Sequence, residues 1–147
     1  MRALPTVVVT VWLALVTIAA TVLADEASAY RIIVNPKNHT TNVDRIFLQD
    51  AFLKKSTRWP SGEVLRPADQ LTSSGTRKTF TQAVLGRSVS AVQAYWQQRI
   101  FSGRDVPPPE LDGDEKVVAY VLQHDGAVGY VSGTANVGAA RIVSLTR

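Results

Sequence analysis

Apolar residues along this chain follow two periods, one suited to strands and one to helices. Tyr30 to Val34 is a continuous β-rich run stopped by Asn35-Pro36, the pattern of a buried strand. Val43, Ile46, Phe47 and Ala51 fall at i, i+3, i+4 and i+8, one face of a helix, with Thr41 or Asn42 as cap and Lys54, Lys55 and Arg58 at its C-terminal end. Trp59-Pro60-Ser61-Gly62 marks a turn before a short strand at Val64. Phe80, Ala83 and Val84 predict a short helix that Gly86 ends. Ser88 caps a second helix, whose stripe Val89, Val92, Trp96 and Ile100 runs to Gly103. After the stiff Pro107-Pro108-Pro109, Asp112 or Asp114 opens a third, with Val117, Val118, Val121 and Leu122 inward and an end near Asp125-Gly126. Ala127 to Val131 and Ile142 to Leu145 close the chain as strands. Alternating strands and helices predict an α/β layer fold with a mainly parallel sheet flanked by helices.

The N-terminal region stands apart from this pattern. Arg2 precedes an uncharged apolar run, Val7 to Leu23, and two small-residue sites follow, Val22-Leu23-Ala24 and Ala27-Ser28-Ala29. This is the form of a signal peptide, residues 1–29, with cleavage after Ala29 preferred to Ala24; an uncleaved anchor is the competing reading. Both place residues 30–147, a single domain, outside the cytoplasm, in the periplasm or secreted. Removing residues 1–29 takes away Arg2, Asp25 and Glu26, which moves the formal charge from +4 to +5. The cations are scattered, so an anionic partner is favoured and a nucleic-acid footprint is not. With no cysteine and two histidines, His39 and His124, thiol chemistry is excluded and neither a metal site nor a cofactor is indicated.

The candidate chemistry lies between Val64 and Phe80. Thr72, Ser73, Ser74, Gly75 and Thr76 stand directly before a helix, where free N–H groups, hydroxyls and a close backbone approach suit an oxyanion, and Arg66 and Arg77 offer charge-assisted bonds. The plainer reading is an ordinary N-cap. Asp69 either accepts a proton from a protonated ligand oxygen or pairs with Arg66. An enzyme would need Ser74 as nucleophile and His124 as base, without a nucleophile-elbow pattern around the serine; no catalytic residue is assigned.

Several of these segments together resemble the periplasmic phosphate-binding-protein-like family. They are Ile32-Ile33-Val34-Asn35-Pro36, Trp59-Pro60-Ser61-Gly62, Arg66 with Asp69, Ser74-Gly75-Thr76-Arg77 with Phe80, Tyr95-Trp96, Phe101-Ser102-Gly103 and Gly126-Ala127-Val128-Gly129-Tyr130. The chain is similar to one lobe of the substrate-binding component of phosphate ABC transporters. The resemblance implies a single-lobe, type II periplasmic-binding-protein-like fold and a non-enzymatic domain. It implies that phosphate or a similar oxyanion is held by Arg66, Asp69, Ser74, Gly75 and Thr76, with Ser73 and Arg77 as further candidates. The implied partners are ABC transporter membrane components or another envelope protein; an interaction module without ligand is the alternative. Residues 30–147 suffice for about one lobe, and Lys54-Lys55 stands where a glycine often follows the helix.

Overall fold

The computed structural model describes residues 29–147; the expected export segment falls outside these, apart from Ala29. A five-stranded sheet has the order β2 (Asn42–Asp44), β7 (Arg141–Thr146), β1 (Tyr30–Val34), β6 (Ala127–Ser132) and β3 (Arg66–Pro67). A two-stranded ribbon pairs β4 (Asp69–Gln70) with β5 (Glu110–Leu111). The helices are α1 (Arg45–Phe52), α2 (Gly75–Phe80), α3 (Val89–Phe101) and α4 (Asp114–Gln123), with a π turn at Thr81–Leu85 continuing α2.

The α/β architecture is as expected, but the sheet is mixed rather than mainly parallel. β1 runs antiparallel to both β6 and β7, while β3 with β6 and β2 with β7 are parallel. Strand–helix alternation implies parallel neighbours only where successive strands lie side by side. Here β1 is inserted between two strands made almost a whole chain later. Its inner part, Ile32 to Val34, is apolar because both its faces are covered: Ile32 and Val34 face α1, α2 and α3, and Ile33 faces α4.

Local chemistry moved one expected boundary and kept the others. Asp44, not Thr41 or Asn42, caps α1, its Oδ1 accepting from the N–H groups of Ile46 at 2.8 Å and Phe47 at 3.2 Å. Val43 is therefore buried as a strand residue, Ile46 is exposed, and Leu48, Ala51 and Phe52 point inward. In α3, Ser88 is the cap, accepting from Ala91 N at 3.1 Å, and Val92 and Trp96 are buried while Ile100 is exposed. Gly86 ends the π turn in the left-handed region. Gly113 precedes α4, and Asp114 is its first residue.

The Gly126–Tyr130 segment has a steric explanation. At Gly126, φ is +76° and an ideal Cβ would stand 2.0 Å from Val64 O; at Gly129 it would stand 2.7 Å from a methyl of Val117. The first glycine lets the Trp59 turn close, with Trp59 Nε1 donating to Gly126 O at 2.8 Å, and the second lets α4 lie against the sheet. Asn35, buried after β1, holds the other end of α4 by donating to the carbonyls of Val121 at 2.9 Å and His124 at 3.1 Å.

Lys54, just past α1, is the non-glycine residue with positive φ, at +52°, among the described residues. It occupies the site where glycine often ends a helix, and its Cβ is strained there. Lys54→Gly is expected to raise stability by about 1 kcal/mol in urea unfolding; a loss would show that the ion pair with Asp105 outweighs the backbone strain.

Candidate functional site

The serine-rich loop follows β4 and is held from beneath by a buried polar cluster. Arg77, 2% exposed, lies 3.2 Å from Asp69 Oδ2 and 3.2 Å from Glu110 Oε1, and donates to Gln70 O at 2.7 Å. Asp69 Oδ1 also accepts from Gln70 N at 2.9 Å and from the Tyr130 hydroxyl. The Tyr130 ring stacks on Phe80 of α2, centroids 3.8 Å apart and 8° from parallel, so strand and helix are joined at both the polar and the apolar end of one side chain. Burial outweighs the Arg77 guanidinium and the two donors, and holds the Asp69 carboxyl above the usual carboxylate range. The Tyr130 phenol is pushed up by burial and by the neighbouring carboxylate, and keeps its proton for donation.

Gln70 connects this cluster to the loop. Its Nε2 donates to Tyr130 O at 3.0 Å and to Asp114 Oδ1 at 3.2 Å, which leaves Oε1 to accept from Ser74 Oγ at 2.6 Å. Ser74 Oγ in turn accepts from Arg77 N at 3.2 Å, the ordinary N-cap bond. The Ser74 proton is thus engaged inside the chain. The N–H groups of Gly75 and Thr76 have no acceptor among the described residues, and Ser73 and Gly75 are exposed.

The structure therefore divides the seven candidate residues. Ser73, Ser74, Gly75 and Thr76 form one row, and Asp69 and Arg77 lie directly beneath it as a mutual ion pair. Asp69 is paired with Arg77 and not with Arg66. Arg66 sits at the start of β3, its N–H bonded to Gly126 O at 3.0 Å, with its charge beside Tyr120. Among the described residues it makes no hydrogen bond or ion pair with the row. Gln70, Tyr130, Glu110 and Asp114 were not singled out as site residues by sequence reasoning; Asp114 was named only as a helix start, and Tyr130 stood in a quoted motif.

Ser74 and His124 lie at opposite ends of α4. Ser74 reaches Gln70, which bonds Asp114 at the helix start, whereas His124 follows the helix end and its Nδ1 lies 2.8 Å from Tyr120 O. Ten helical residues span about 15 Å, too far for a nucleophile and its base. Among the described residues no group of three metal-ligating side chains occurs.

No protein-family model matches this chain, and no curated protein does. Solved structures do match. An ABC-type phosphate transport receptor from Vibrio cholerae aligns with TM-score 0.61 at 20% identity, over 80% of this chain and 46% of its own. PstS from Borrelia burgdorferi aligns with TM-score 0.61 at 13% identity, over 80% and 47%. A Clostridium perfringens protein with bound phosphate, assigned as a phosphate ABC transporter substrate-binding protein, aligns with TM-score 0.60 at 19% identity, over 80% and 46%. These neighbours are binding proteins rather than enzymes. The chain has the periplasmic-binding-protein-like fold, and it spans just under half the length of the structures it matches.

The buried carboxyl gives folding a pH response. Folding raises the pKa of Asp69 above its ordinary 3.8, so the stability it contributes is fully present below that pH and is lost as pH rises towards the folded value. In urea unfolding across this window, the stability of the parent relative to Asp69→Asn should fall with rising pH. A rise would mean that Arg77 keeps the carboxyl ionised in acid.

Proposed function

We propose that this domain is an exported phosphate- or oxyanion-binding lobe of the kind used by substrate-binding proteins of phosphate ABC transporters, working in the periplasm with transporter membrane components. The observation that carries the reading is the row Ser73–Thr76, fixed by the Gln70–Arg77–Asp69 cluster in a fold matched by phosphate-binding structures. In this reading the ligand takes the N–H groups of Gly75 and Thr76 and the hydroxyls of Ser73 and Thr76. Ser74, Asp69 and Arg77 hold the row in shape, and Arg66 acts only at long range.

The charges beneath the row set the affinity. Arg77 answers both Asp69 and Glu110, and Asp114 stands beside Gln70, so little net positive charge remains for an anion. A few neutral donors facing water support a Kd of about 1 mM. Titration calorimetry with phosphate, and with sulfate for comparison, should give saturable heat in that range. Ser73→Ala and Thr76→Ala should each weaken it about tenfold, whereas Arg66→Ala should change it little. Absence of heat at about 10 mM phosphate, or indifference to both row substitutions, would sink the proposal.

A further inference from the structure

From Leu71 to Arg104 the chain contains no Asp or Glu, and the C-terminal end of α3 concentrates what this leaves. Phe101 is 96% exposed, Ile100 52% and Val106 61%. The cations gather on the adjoining side, about Tyr95. Arg87 and Arg99 flank the Tyr95 ring at 5.7 and 5.3 Å, and the Tyr95 hydroxyl donates to Leu53 O at 2.9 Å, which brings Lys54 and Lys55 alongside. Arg104 follows two residues after Ser102. The facing carboxylates are Asp105, 3.7 Å from Lys54 Nζ, and Asp50 on α1, so five cations meet two acids. A notch of about 210 Å³ between Tyr95, Gln98, Arg99, Ser102 and Arg104 is large enough for one phosphate-sized group.

We infer that this end of α3 is a docking surface for a bilayer bearing anionic phospholipids. Exposed apolar side chains at a helix end, with long cationic ones on the adjoining Tyr95 side, are arranged as at a membrane interface. The apolar groups enter the boundary between headgroups and acyl chains, and Arg and Lys reach the phosphates with their stems lying along it. Phe101 is almost wholly free, and the notch at the neighbouring Ser102 has room for one headgroup phosphate. The surface lies outside the Ser73–Thr76 row and does not depend on the oxyanion reading.

The absence of cysteine allows a clean test with the full chain. An environment-sensitive dye is attached at Ser102→Cys, with Glu115→Cys on α4 as the distant control, and vesicles of phosphatidylglycerol with phosphatidylcholine are compared with phosphatidylcholine alone. The Ser102 label should shift to the blue with anionic vesicles only, and the Glu115 label should not shift. Adding Arg99→Gln and Arg104→Gln should raise the lipid needed for half the shift about 25-fold, taking about fivefold per cation. No shift with anionic vesicles would overturn the inference and leave an acidic protein as the candidate. Equal shifts at both labels, or with both vesicle types, would overturn it as well.

Discussion

The feature on which the rest depends is a guanidinium with almost no access to water. Arg77 belongs to a short helix, yet its charge lies among Asp69 of β4, Glu110 of β5 and the Gln70 carbonyl. Removing one partner of such a pair leaves an uncompensated buried charge, commonly at a cost of about 3–5 kcal/mol. The ribbon, the serine-rich loop and the start of α2 are consequently fixed with respect to one another, and Tyr130 ties that unit to the central sheet. One guanidinium nitrogen, Nε, has no partner among the described residues, so the cluster is not fully satisfied even so.

That arrangement changes the meaning of the cations near the loop. Sequence proximity places Arg66 and Arg77 on either side of a donor row, as two arms for an anion. Burial gives Arg77 to two carboxylates, and the short parallel pairing of β3 with β6 directs Arg66 to the other end of the strand. What remains exposed is a set of neutral donors, which on the proposed function would meet a small oxyanion with little long-range attraction.

Much of the architecture was legible from residues with a single physical use. Trp59-Pro60-Ser61-Gly62 and Gly126 to Tyr130 were recognisable because the turn, the indole bond and the two close backbone approaches admit few alternatives. Ser88 and Gly86 marked helix limits because capping chemistry is local. Strand direction was not legible, since it depends on which distant strand lies alongside β1. Nor was the inner face of α1, where an Asx cap at Asp44 rotated the helix so that Leu48 rather than Ile46 turned inward. At the site, Ser74 was found but its role was not: whether a hydroxyl points to solvent or to a neighbouring amide depends on Gln70, whose own donors are set by Tyr130 and Asp114, both remote in sequence.

The placing of β1 bears on when this chain can fold. Tyr30 pairs with Ser132 and Val34 with Arg141, so the central strand is the first part of the domain to be made and its partners are almost the last. Until β6 and β7 emerge, the five residues of β1, four of them apolar or aromatic, have open hydrogen-bonding edges with nothing to pair with, and closing so long a loop is slow. The central sheet therefore cannot close until nearly all of the domain is available. The same topology that puts Ile33 at the centre of the domain makes its folding wait on the C-terminal strands.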